Sequence, residues 1–347
     1  MLALGTAPVR IAVFGAGRIG QVHVANLSTR VAGVTVSAVV DVRRDAAIAL
    51  ASKYGVQVAT DDVDAILGDR DIDAVLIASA TDTHGALIRG AAASGKHIFC
   101  EKPIDTTIEA IDASLDAVER AGVCFQVGFN RRFDPSFRRV HDLVRSGEAG
   151  KPHLIRITSR DPQPPPAGYF TGDLGIFPDM TIHDFDLARF LMRAADESDE
   201  VVEVFATGAS LVSAADGGSG EMDTAVCVLT FGSGAIATID NSRRAVYGYD
   251  QRIEVFGSGG MVAAGNVTPD SHVVSNANGI RSAVPHYFFL ERYADAYAHE
   301  LIGFVEAVKN GTATPVTGHD GRMAVVIATA AQRSVRLARP VRTAEIV

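Results

Sequence analysis

The chain has 347 residues, enough for two domains, and 47% of them are hydrophobic, enough for two cores. Acidic residues outnumber lysine and arginine by 41 to 32, and the resulting formal charge of −9 excludes a basic nucleic-acid surface. No apolar run reaches the roughly 18 residues of a membrane span, and Met1–Val9 is too short and lacks the basic start of a signal peptide. Val9–Phe14 then reads as a short buried strand, followed directly by Gly15-Ala16-Gly17-Arg18-Ile19-Gly20. Gln21–Arg30 contains no proline or glycine and reads as a helix. Val34–Val40 reads as a second strand, which ends at Asp41.

These parts together suit a dinucleotide. Gly15 permits the tight turn, Gly17 lets backbone N–H groups approach a pyrophosphate, and Gly20 lets the helix pack on the strand. The phosphates would sit at the positive end of the helix, against the loop that carries Arg18 and Ile19. Asp41 stands at the distance from the loop at which a carboxylate meets the ribose diol, so the expected cofactor is NAD. A glycine turn that only joins strand to helix would leave Asp41 unexplained.

Helix and strand keep alternating beyond this point. The pattern predicts helices at Asp45–Tyr54, Gly85–Ser94 and Thr107–Ala121, and strands at Ala74–Ala78, His97–Cys100 and Cys124–Gly128. Thr106-Thr107-Ile108-Glu109 reads as a capping box. Residues 1–129 are therefore an expected Rossmann domain, with a parallel sheet covered on both faces and ligands at the carboxyl ends of its strands.

The pattern changes after residue 130. A helix opens at Asp134-Pro135 and closes at Ser146-Gly147, a strand covers His153–Arg160, and a proline-rich loop runs over Asp161–Pro166. A helix over Met180–Leu191 follows, then strands at Val201–Ala206, Thr224–Phe231, Ala235–Asp240 and Gln251–Phe256. Turns are marked at Gly217-Gly218 and Gly257–Gly260, and long helices over Phe289–Asn310 and Asp320–Leu337 finish the chain. Consecutive strands predict an α+β domain over 130–347, with an open, largely antiparallel or mixed sheet and helices on one face. Cys100, Cys124 and Cys227 form no CxxC pair and lie in apolar runs, as buried reduced thiols of a cytoplasmic protein do.

Two constellations carry chemistry. Glu101-Lys102-Pro103 follows directly on a sheet strand, where it would face the ligand crevice. Proline restricts Lys102 to extended backbone, and a lysine beside a nicotinamide can hydrogen-bond a substrate hydroxyl and stabilise the developing alkoxide. A surface Glu-Lys pair is the alternative. The second is Asp179-Met180-Thr181-Ile182-His183-Asp184-Phe185-Asp186. Asp179 and His183, four apart, share a helix face, and a carboxylate beside an imidazole equips it as a general base. Metal ligation by His183, Asp184 and Asp186 is the rival reading, but no second histidine stands at HxxxH spacing and no cysteine is near, so no metal is expected.

The glycine loop, Glu101-Lys-Pro103 and Asp179-xxx-His183 together resemble the Gfo/Idh/MocA oxidoreductases. The elements Gly128-Phe-Asn-Arg-Arg132, Ser159-Arg-Asp-Pro162 and Tyr247-Gly-Tyr-Asp250 resemble the inositol 2-dehydrogenase branch of that family. The resemblance covers nearly the whole chain. It implies NAD-dependent oxidation of a secondary hydroxyl of a cyclic polyol, with Lys102, Asp179 and His183 as the catalytic triad. It implies a polyol pocket lined by Arg131, Asp161 and Tyr249 with the triad, and a cofactor side that includes Thr81, His84, Glu101 and Lys102. It also implies a homotetramer, with no membrane or nucleic-acid partner. Myo-inositol, oxidised to 2-keto-myo-inositol, is the substrate the resemblance implies; Asp173, Leu174 and Pro178 depart from the family pattern, so scyllo- or chiro-inositol or a pyranose sugar is the alternative. A dinucleotide-sensing regulator without turnover is the alternative of another class.

Overall fold

The computed structural model describes residues 7–164, 175–212 and 222–346, so Asp173, Leu174 and the Gly217-Gly218 turn lie outside the described residues. The chain forms two compact units, one of Met1–Phe133 with Asp295–Val325, the other of Asp134–Ala294 with Val326–Val347.

In the first unit the order is β1 (Val9–Phe14), α1 (Arg18–Thr29), β2 (Val34–Val40), α2 (Arg44–Tyr54), β3 (Val58–Thr60) and α3 (Val63–Gly68). It continues with β4 (Ala74–Ile77), α4 (Thr81–Ala93), β5 (His97–Glu101), α5 (Ile108–Ala121) and β6 (Phe125–Gly128). All pairings in this sheet are parallel, and the strand order is β3-β2-β1-β4-β5-β6. The order reverses between β1 and β4, the point at which such sheets bind ligands beyond their strand ends. α5 is capped by Thr107, whose hydroxyl accepts from Ala110 N at 3.3 Å, one residue later than the capping-box reading places it. The helix's Ile111, Ser114 and Val118 are buried.

The second unit contains α6 (Pro135–Arg145), β7 (Pro152–Arg160), α7 (Ile182–Arg193), β8 (Val201–Ala209), β9 (Thr224–Phe231), β10 (Ile236–Ser242), β11 (Asp250–Gly257) and β12 (Gly260–Ala264). A hairpin of β13 (Val273–Asn276) and β14 (Gly279–Ser282) precedes α8 (Phe289–Arg292); α9 (Ala294–Asn310) and the start of α10 (Gly318–Leu337) return to the first unit, and the rest of α10 with β15 (Val341–Arg342) closes the second. The main sheet runs β12-β11-β7-β10-β9-β8-β15. It is mixed, because β7 and β10 pair in parallel while the other pairs are antiparallel. Alternate residues such as Ile155, Ile157, Cys227, Leu229, Ala237 and Ile239 are buried on one face. The opposite face keeps Val202, Phe205, Val226, Ile236, Phe256 and Met261 exposed.

The units are discontinuous, unlike the consecutive segments 1–129 and 130–347 suggested by the change of pattern. The physical reason lies in α9. Leu301, Phe304, Val305 and Val308 belong to the core built on β1, α1 and β5, and Phe304 meets Phe99 edge to face at 5.8 Å. Phe304→Ala in such a core costs roughly 3–5 kcal/mol. No helix among the described residues is long and apolar enough to cross a membrane.

Candidate active site

The glycine loop sits at the β1 end of the first sheet. Gly15 has φ +106°, and a Cβ there would lie 2.4 Å from Ala78 O at the end of β4. A Cβ on Gly20 would lie 1.9 Å from Gly15 O, so glycine is required where α1 folds back over the turn. Gly17, the residue before α1, has nothing among the described residues within 4 Å of its would-be Cβ. The loop therefore leaves open space beside the helix N-terminus, as a bound pyrophosphate needs. Asp41 closes the loop from β2. Its Oδ2 accepts from Ala16 N at 2.7 Å and its Oδ1 from Arg43 N at 2.8 Å. Each oxygen retains a second lone pair for a ribose hydroxyl. These residues fit NAD.

The other first-unit positions fall at the carboxyl ends of β4, β5 and β6. Thr81 opens α4 after β4. His84 is buried, with Nδ1 2.8 Å from Pro103 O and Nε2 3.2 Å from Ser79 O, so it ties the β4 loop to the segment after β5. Its ring is committed to positioning those loops. Glu101 ends β5, where its Oε2 accepts from Lys102 N at 3.3 Å and its Oε1 lies 2.7 Å from His23 Nε2. Arg131 is buried in the short 3-10 turn Asn130–Phe133 after β6.

In the second unit the plain helix expected from Met180 is a π-helical turn, Phe177–Thr181, that passes into α7. Such wide turns are rare and concentrate at functional sites. Asp179 lies on the π turn and His183 in the first turn of α7. Asn241 of β10 fastens the junction, accepting from Thr181 Oγ1 at 2.6 Å and donating to Asp184 Oδ2 at 2.8 Å. Asp184 and Asp186 are fully buried beneath it, and Asp184 is spent on Asn241.

A residue outside the expected site set links the candidates. Arg243 donates through Nη2 to Asp179 Oδ2 at 2.7 Å and through Nη1 to Asp161 Oδ2 at 3.1 Å. Its position follows from the sheet: β7 and β10 run parallel with Arg160 opposite Ser242, so Asp161 and Arg243 leave the same edge side by side. Burial opposes the charge on Arg243, but Asp179 and Asp161 more than offset it, and the guanidinium holds its proton more tightly than usual. Tyr249 packs edge-on against Phe288 and Tyr293. The structure thus joins Asp161 and Asp179 through Arg243. Only pairing between distant strands could have disclosed that bridge.

Residues 9–129 match the oxidoreductase family GFO_IDH_MocA, NAD-binding Rossmann fold, and residues 137–263 match its C-terminal domain. The chain is 47% identical to "uncharacterized oxidoreductase YrbE" of Bacillus subtilis, covering 95% of each. It is 46% identical to the myo-inositol 2-dehydrogenase of Thermotoga maritima, covering 98% of this chain and 100% of the relative. The chain belongs to the Gfo/Idh/MocA oxidoreductases. Among solved structures, a "probable dehydrogenase" from Thermotoga maritima superposes with a TM-score of 0.93 at 46% identity, covering 98% of this chain and 100% of the other. The scyllo-inositol dehydrogenase of Lactobacillus casei with bound NAD(H) and scyllo-inositol gives 0.88 at 30% identity, covering 97% and 99%. The cofactor is NAD, and the N-terminal domain, an NAD-binding Rossmann fold, binds it.

Proposed function

We propose that this oxidoreductase is an NAD-dependent inositol 2-dehydrogenase, which oxidises a secondary ring hydroxyl of myo-inositol to the ketone. The observation that carries the reading is the Asp161–Arg243–Asp179 bridge. It offers hydroxyl-binding groups of both signs, which suits a neutral polyol and opposes a carboxylate substrate. Identity of 46% to a myo-inositol 2-dehydrogenase over nearly the full length supports it.

His183 accepts the proton of the reacting hydroxyl. Asp179, held by Arg243, orients the imidazole and stabilises its protonated form. Lys102 hydrogen-bonds the same hydroxyl and stabilises the alkoxide as negative charge builds on oxygen. Bound NAD supplies the hydride acceptor. Arg131, Asp161 and Tyr249 bind ring hydroxyls away from the reacting carbon, and a lost buried partner there costs roughly 1–3 kcal/mol.

The exposed apolar residues on the open face of the second-unit sheet support self-association, as a homotetramer. The buried Cys100, Cys124 and Cys227 suit a reducing cytoplasm, where the reaction would serve polyol catabolism.

The test is the rate of NADH formation with myo-, scyllo- and chiro-inositol and with glucose. Myo-inositol gives the highest kcat/KM on this reading. A higher value with another cyclitol or an aldose would transfer the protein to a sister specificity. Bound NAD with no turnover of any polyol would make it a dinucleotide-sensing regulator.

A further inference from the structure

Beneath the Glu101–Lys102 strand end lies a cluster of ionisable groups with no part in the reaction above. α1 contributes His23, β5 contributes Glu101 and α9 contributes Glu300. One ligand atom from each lies within 4.8 Å of the others. His23 and Glu300 are wholly buried, and the Glu101 side chain is 12% exposed. Phe99 and Tyr297 wall the cluster with rings edge-on to His23 at 5.3 and 5.8 Å. β6 adds only neutral groups: Gln126, whose Nε2 donates to the backbone oxygen of Glu300, and Gly128, which leaves room for the Glu101 carboxylate.

Both carboxylate oxygens of Glu300 are buried without a hydrogen-bond partner among the described residues. An ionised carboxylate does not persist in such a place, least of all beside a second one. The cluster itself contains no lysine or arginine, so either protons or a metal ion must balance it. Geometry decides between them. His23 Nε2 and Glu101 Oε1 are 2.7 Å apart, a hydrogen-bond separation, whereas two ligands of one tetrahedral ion at about 2.0–2.1 Å stand roughly 3.3 Å apart.

We propose that Glu300 is a neutral, protonated acid at neutral pH, and that it thereby leaves Glu101 as the cluster's single negative charge. That charge accepts from His23 Nε2–H on one oxygen and from the Lys102 amide N–H on the other. His23 and Glu300 are then positioning residues, which act through Glu101 on the backbone that carries Lys102. This last step rests on the reading of Lys102 as the residue that holds the substrate hydroxyl. Burial first, and the Glu101 charge second, both favour the protonated form of Glu300.

Infrared difference spectroscopy on the ligand-free protein tests the protonation state without reference to turnover. Wild type at neutral pH shows the carbonyl stretch of a protonated carboxylic acid, and Glu300→Gln lacks it. The kcat of Glu300→Gln at neutral pH stays within about threefold of wild type, because the amide copies a neutral acid. Absence of the band from wild type, a larger loss in a folded Glu300→Gln, or a stoichiometric metal ion released by that change would each overturn the proposal. For positioning, His23→Leu lowers kcat about tenfold, and His23→Gln, which keeps an N–H donor, recovers most of it. Equal rates in the two His23 variants would overturn the positioning role. If no polyol is oxidised, the infrared result still decides the state of Glu300.

Discussion

Arg243→Ala should slow the reaction without weakening NAD. Hydrogen bonds to charged groups contribute roughly 1.5–3 kcal/mol. Arg243 is only 6% exposed, but the side chains of Asp161 and Asp179 keep 17% and 20% of their exposure, so solvent offsets part of that value. The Asp179 bond then accounts for about 1.5–2 kcal/mol, or roughly a 10- to 30-fold fall in kcat. Removing the guanidinium also leaves two neighbouring carboxylates without their shared cation, so one of them holds a proton to higher pH. The acid limb of the kcat–pH profile should therefore move upward, since Asp179 must be ionised to support His183. Arg243→Lys should recover only part of the rate, because one ammonium lacks the planar fork that reaches both acids. Steady-state kinetics across pH and NAD titration by fluorescence make the comparison. A kcat for Arg243→Ala within about twofold of wild type, with an unmoved acid limb, would refute the positioning of Asp179 by Arg243.

The cofactor loop predicts NAD over NADP by at least about tenfold in kcat/KM, or about 1.4 kcal/mol, because Asp41 repels a 2′-phosphate. Asp41→Ser should erode that ratio, and Arg43, exposed beside it, supplies a partner for the phosphate. Gly20→Ala places a methyl 1.9 Å from Gly15 O and should abolish NAD binding in titration calorimetry. His183→Ala should lower kcat about a hundredfold or more, and Lys102→Arg should fail to replace Lys102 because the guanidinium is wide and planar; near-normal turnover in either contradicts the assigned role. Glu300 also sets a pH dependence of stability. Its folded pKa is raised, so its penalty is absent below the unfolded carboxylate value of about 4.3 and grows as pH rises toward the folded one. Glu300→Gln should gain on wild type by about 1.4 kcal/mol per pH unit over that range in denaturant titrations, and a constant difference contradicts the buried neutral acid.

Local patterns disclosed the first sheet well, because glycine turns and continuous apolar runs are properties of neighbouring residues. β3 and α3 escaped because they are three and six residues long, too short for a period to register. β13 and β14 are wholly exposed and show no inward alternation at all. The apolar stripe of α9 announced a helix, but not which sheet it covers. The spacing of Asp179 and His183 marked them as candidates, whereas the π turn that carries Asp179 is fastened by Asn241, far along the chain. Arg243 was hidden for the same reason, since its partners are set by the parallel pairing of β7 with β10. His23 and Glu300 carry no local signal, because only the fold brings them to Glu101.

The fate of one hydrogen tests hydride transfer from the ring carbon most directly. With myo-inositol deuterated at C2, the protein and NAD should yield one deuterium in the reduced nicotinamide for each ring ketone formed. NAD that binds but is not reduced, or reduced cofactor that carries no deuterium, would contradict oxidation at that carbon.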